Sequence, residues 1–285
     1  MNTFTERQAF AGAPTPIRKL AGEIMDAQPV PSIGAALLTA LAAWSICGRG
    51  HLVTGAGRPQ PLNLFVDISA GNDDTLEVSA NVLRQAGDIA GAAVLPLPVR
   101  YSEGLAIREC GKIAVLALRG SHRNAFTVED GFMAIALELH DPFEGHTPYF
   151  CGGLFTPPEK RGRSDPPRSF CALRFEGPEA TKQARKPNPG EYPSDASLLE
   201  LVRVADHGQT AKATKGLRGV GLPLERDAIA AMHGLEYDDR TNAIRVAGLC
   251  ALAAGEASVS VHRVDYARKL VRGLFAVRWQ EAMAC

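Results

Sequence analysis

The chain has 285 residues, 46% of them hydrophobic, enough to bury the core of one large domain or two ordinary ones. Its 31 basic and 31 acidic residues cancel, which excludes the overall positive field of a protein that coats nucleic acid and leaves only local patches. The most apolar segment, Ile33 to Cys47, falls short of the ~20 residues a membrane span needs, so no membrane partner is expected.

The first ten residues, MNTFTERQAF, carry polar groups and an acid where a secretory signal needs a basic end and an apolar stretch. A cytoplasmic location is therefore expected. Thr15-Pro16 starts a helix with a cap followed by proline at the first helical position, and Ile17, Leu20, Ala21 and Ile24 form its stripe before Pro29 stops it. A second helix begins at Ser32 and ends near Gly48. It is apolar on nearly all sides and needs other elements to cover it. These helices form an N-terminal layer over residues 1–55.

Leu62 to Ile68 reads as a continuous buried strand interrupted only by Asp67 among its last residues. The turn Gly71-Asn72-Asp73-Asp74 follows, and Leu76, Ala80, Leu83 and Ala86 then recur at helical spacing to Gly87. Ala92 to Leu95 is a short strand stopped by Pro96, Ser102 caps a helix to about Cys110, and Ile113 to Leu118 is a buried strand. Strands alternating with helices predict an α/β core with a largely parallel sheet over residues 56–190. A helix, FMAIALELH, follows Gly131, and Ser169 to Phe175 is a further strand. The proline-rich stretches TPPEKRGRSDPP and EGPEATKQARKPNPGEYPSD flank that strand as exposed loops.

Residues 191–285 read as a helical C-terminal module. Its helices are Ala196 to Ala205, one including Glu225 to His233, Thr241 to Ala254, and Val264 to about Met283. The last opposes an apolar face (Val264, Ala267, Val271, Leu274) to a basic one (Arg268, Lys269, Arg272).

Six cysteines lie scattered with no Cys-x-x-Cys pair, which predicts reduced thiols and no metal site. His140, Asp141 and His146 are separated by Pro142 and Gly145, so they share no helical face and read as a surface loop. Ser121-His122 lacks the Gly-x-Ser-x-Gly elbow of a nucleophilic serine.

The order of these pieces resembles the YfjI-like family, a domain-of-unknown-function group of RecA-like, helicase-type P-loop proteins of phages, plasmids and integrated elements. The resemblance is carried by TPIRKLAGEIM and PSIGAALLTALAAWSICGRG, the strand entered through PLNLF, the SEGLAIREC helix, and PPRSFCALRFEGPEA with its Gly-Pro exit. Its most specific part is TNAIRVAGLCALAAGEASVSVHRVDYARKLV. It implies a RecA-like P-loop core between the helical N-terminal layer and the C-terminal module.

A P-loop ends in Gly-Lys-Ser/Thr, because backbone amides cradle phosphates, the lysine neutralises them and the hydroxyl holds magnesium. Here Thr75 keeps the hydroxyl, but Asp74 stands at the lysine position and Asp73 at the glycine, so Gly71, Asn72, Asp73, Asp74 and Thr75 make a degenerate nucleotide loop. A carboxylate about 4 Å from a phosphate oxygen costs ~1 kcal/mol in water and roughly four times that at the effective dielectric of a protein surface. The strand that should end in magnesium-binding acids ends in Arg119-Gly120 instead, leaving Glu129 and Asp130 as fallback acids. Arg240 and Arg245 are the candidates for an arginine that completes a neighbouring subunit's site. Read blandly, Arg240 is a solvated first-turn residue and Arg245 pairs with a nearby acid.

Lys160, Arg161 and Arg163 in one loop, and Lys212, Lys215 and Arg218 in another, are the candidates for nucleic-acid contact, with Asp165, Glu176 and Glu179 interspersed against it. The expectation is an accessory pseudo-helicase of a mobile element, non-catalytic, without cofactor, in a homo- or hetero-oligomer and in contact with DNA. Two alternatives stand beside it. One is an unorthodox NTPase or helicase using ATP and magnesium at Asp73, Asp74, Thr75 and Glu129. The other is a subunit that binds an intact helicase or host factor through its apolar N-terminal helices or its basic last helix.

Overall fold

The computed structural model describes residues 4–48, 51–53, 59–91, 93–94, 114–119, 150–155, 172–179, 196–200 and 221–275. The chain opens with a short helix α1 (Glu6–Gly12), not expected from the sequence. Thr5 and Gln8 bond each other's backbone N–H as a capping box that starts it. Helix α2 (Thr15–Ala27) places Pro14 at the cap and Pro16 inside the first turn, one residue off the expected start, and it ends before Pro29 as expected.

Helix α3 (Ile33–Gly48) follows Ser32, whose hydroxyl accepts from Ala35 N–H, and Glu6 of α1 accepts from Gly34 N–H at 2.8 Å. A carboxylate there meets the positive end of the helix. Residues 34–48 of α3 are all buried, because α1 and α2, the sheet and a later helix over Tyr237–Ala253 enclose it. That resolves its lack of a polar face. Trp44 anchors it by donating its indole N–H to the carbonyl of Leu249 at 2.8 Å.

The main sheet has five strands, β3 (Phe65–Gly71), β4 (Ala93–Val94), β5 (Ala114–Arg119), β6 (Phe150–Phe155) and β7 (Ala172–Glu179), in the order β4-β5-β6-β3-β7, and every pairing is parallel. The fold is α/β. In both common doubly wound orders the second strand lies beside the first; here the strand after β3 lies at the far edge, with β5 and β6 between. Helix α4 (Asp73–Ile89) makes that crossover and packs on β3, β5 and β6 beside α3.

Val66 and Ile68 of β3 share this covered face with Leu173 and Phe175 of β7 and with Gly153 and Phe155 of β6. Asp67, which breaks the apolar run, points to the other face. There it pairs with Arg174 at 3.4 Å, its own register partner on β7.

Strand β3 starts at Phe65 rather than Leu62, because Leu64 N–H turns to the Ser45 hydroxyl of α3 instead of to a neighbouring strand. It runs to Gly71, past the expected end at Ile68, held by β7 through an irregularity between Ser69 and Gly71. Strand β6 was not foreseen. A side chain at Gly153 would strike Phe155 and lie 3.0 Å from Leu83 of α4, so this glycine lets α4 lie close while it helps disguise β6 in the sequence.

A small three-stranded sheet joins β1 (His51–Val53), β2 (Pro59–Pro61) and β8 (Gly221–Pro223). It is followed by α5 (Arg226–Ala231), α6 (Tyr237–Ala253) and α7 (Val261–Gly273). Helix α6 starts four residues before the expected Thr241, at a Glu236 cap. Helix α7 starts at Val261 after Ser260 and ends at Gly273, with Phe275 N–H returning to the Leu270 carbonyl, and the expected stretch from 276 to Met283 lies outside the described residues. Phe275 then packs edge-on against Phe175 at 6.4 Å. Buried side chains form one cluster from Ala9 to Phe275.

The expected helices at Ser102 to Cys110 and FMAIALELH lie outside the described residues. None of the described helices is long and apolar enough to cross a membrane.

Candidate functional site

In open α/β sheets the place for a ligand is the carboxyl end of the strands where the strand order switches, which here is the end of β3 between β6 and β7. The chain leaves β3 through Gly71, whose φ of +66° glycine adopts without strain. Asn72 alone separates strand from helix, and α4 begins at Asp73. Any side chain at Gly71 would come within 3.0 Å of Thr75. The turn is tight.

Asn72 is the N-cap of α4. Its Oδ1 accepts from Thr75 N–H and from the Thr75 hydroxyl, both at 2.9 Å, and its backbone carbonyl accepts from Leu76 N–H. The Thr75 hydroxyl in turn accepts from Val30 N–H at 3.3 Å. Thr75 has no exposed surface, so its hydroxyl faces the α2–α3 linker and not solvent.

Asp73 is half-buried and Asp74 exposed, both in the first turn of α4. Carboxylates there interact favourably with the positive end of the helix, by about 0.3–1 kcal/mol each. They stand where a phosphate would draw on the same field, so Gly71, Asn72, Asp73, Asp74 and Thr75 come together as a capped helix start with its own anions.

The remaining candidates do not join them among the described residues. Arg119 ends β5 beside Phe155, its register partner on β6. Arg240, exposed, donates to the Leu235 carbonyl at 3.1 Å across the start of α6. Arg245 is 1% exposed inside α6, so reaching a neighbouring subunit would require it to leave the core. Glu129, Asp130, Lys160, Arg161, Arg163, Lys212, Lys215 and Arg218 lie outside the described residues, as do His140, Asp141, His146, Ser121 and His122. No group of three or more His, Cys, Asp or Glu among the described residues could hold a metal ion.

On α7 the basic face is partly neutralised: Arg268 faces Asp265 at 3.7 Å and Arg272 faces Asp239 at 3.3 Å. Arg263, the nearest cation to its start, bonds Glu256 at 2.6 Å.

Gln28 and Val30, which no local pattern in the sequence marks, meet α4 from the linker. Gln28 Nε2 donates to the Ser79 hydroxyl at 3.5 Å. The available signal was Thr75 and Ser79, two hydroxyls one helical turn apart on the buried face of α4. No family model matches the chain, and no curated protein matches it.

Proposed function

We propose that the chain is a RecA-like scaffold without nucleotide chemistry, acting as an accessory subunit in the replication or maintenance of a mobile element. Counted from β3 as the first strand, the sheet reads 2-3-4-1-5, the order a RecA-like P-loop core takes, which supports the fold part of this reading. The biological setting, with an oligomeric or DNA-bound assembly, rests on the resemblance to the YfjI-like proteins.

The observation that carries the loss of nucleotide chemistry is the bonding of Thr75. The hydroxyl that would hold magnesium gives its proton to Asn72 and accepts from Val30, with no exposed surface left. A phosphate approaching the same turn meets Asp73 and Asp74 in place of a lysine.

Titration of the purified protein with labelled ATP and magnesium tests this. Neither binding nor a thermal shift is expected at millimolar nucleotide. Micromolar binding abolished by Thr75→Ala, or hydrolysis lost with EDTA, would establish the NTPase reading instead.

The partner-binding alternative loses one surface, since α3 is enclosed within its own chain. Its other surface, the basic face of α7, is partly neutralised by ion pairs.

A further inference from the structure

The linker Gln28–Ser32 touches both of the helix starts beside the switch point. Towards α4, Val30 N–H bonds the Thr75 hydroxyl and Gln28 Nε2 reaches the Ser79 hydroxyl, two contacts one helical turn apart. Towards α3, Gln28 Oε1 accepts from Ser32 N–H at 3.0 Å, and the Ser32 hydroxyl accepts from Ala35 N–H at 3.3 Å. Gln28, Ser32, Thr75 and Ser79 are all at least nine-tenths buried. Buried polar groups that share partners in this way are costly to separate one at a time, since each opening strands the next donor or acceptor.

We infer that this linker is a clasp that couples the β3–α4 turn to the first turn of α3, so that the switch point and the N-terminal helical layer open as one unit. The inference goes beyond the proposed function, because it concerns the bonding of the turn whatever the turn binds. The Pro29-Val30-Pro31 sequence suits the task. Two prolines limit the linker's unfolded freedom, and the one residue between them keeps the N–H that Thr75 needs.

Residue-resolved amide exchange on the full chain tests the clasp. Thr75→Val keeps the shape but removes the hydroxyl. It should speed exchange at Val30 by about fivefold or more and also at Gly34 and Ala35, while Thr75→Ser stays near the wild-type rates. Ser79→Ala, which leaves the Asn72 cap intact, should move the same three amides by a smaller factor and serves if Thr75→Val folds poorly. An unchanged Val30 rate in Thr75→Val would overturn the inference. So would faster exchange at Val30 with Gly34 and Ala35 unmoved, or equal acceleration in Thr75→Ser. Binding of Mg-ATP by the wild type would remove the proposed function and leave these exchange rates as the judge of the clasp.

Discussion

At the scale of single residues, Asn72 and Cys250 show how local chemistry sets measurable energies. Asn72 satisfies Thr75 N–H and the Thr75 hydroxyl at once, so Asn72→Ala should cost about 1 kcal/mol and lower the thermal midpoint, whereas Asn72→Ser should retain most of the stability. Burial pushes the Cys250 thiol up from its ordinary 9.0 to about 12, outweighing the opposing pull of Arg263. In that window the unfolded chain holds fewer protons than the folded one. Stability should therefore fall as pH rises from about 9 to about 12, by at most about 1.4 kcal/mol per pH unit from this group. Burial also raises Tyr266, which acts in the same direction. Denaturant midpoints at about pH 8 and about pH 10.5 check this: the wild type should lose stability more steeply than Cys250→Ala.

At the scale of elements, the contact of α3 with β7 is the tightest test of packing. A Cβ added at Gly34 would lie 2.1 Å from the Phe175 ring, which is itself held by Phe275. Gly34→Ala should destabilise by about 1–3 kcal/mol, and Phe175→Leu in the same chain should recover part of that loss in a double-mutant cycle. No recovery would mean that the strain lies in the helix backbone and not at the ring. Close packing also hides β6 from its own sequence. Its Gly152-Gly153 pair removes the apolar alternation that marks a strand, and the need for Gly153 arises only when α4 is in place. Helix α1 was missed for a related reason. Its seven residues hold too little pattern, and its anchors, Gly34 N–H to Glu6 and the Tyr266 hydroxyl to the Ala9 carbonyl at 2.6 Å, are distant in sequence.

At the scale of the whole molecule, the buried side chains of the N-terminal helices, the sheet and the C-terminal helices belong to one cluster, with Trp44 bonded to Leu249 at its centre. Unfolding should therefore be a single cooperative transition. In a Trp279→Phe background, Trp44 fluorescence and far-UV circular dichroism should change at the same denaturant concentration; two separate midpoints would mean that the C-terminal helices unfold independently.

The α/β class, the apolar helix α3, the strand, turn and helix around Gly71, and the two carboxylates Asp73 and Asp74 in that turn were legible in the amino-acid order. These depend on periodicity, capping and local charge, which neighbouring residues carry. The strand order, the pairing of Asp67 with Arg174, the enclosure of Arg245, and the capture of the Thr75 hydroxyl by Asn72 and Val30 arise from three-dimensional packing. The Asp67–Arg174 and Val30–Thr75 contacts join residues far apart in the chain, and a hydroxyl that binds magnesium has the same spelling as one that binds a backbone amide. What surrounds it makes the difference.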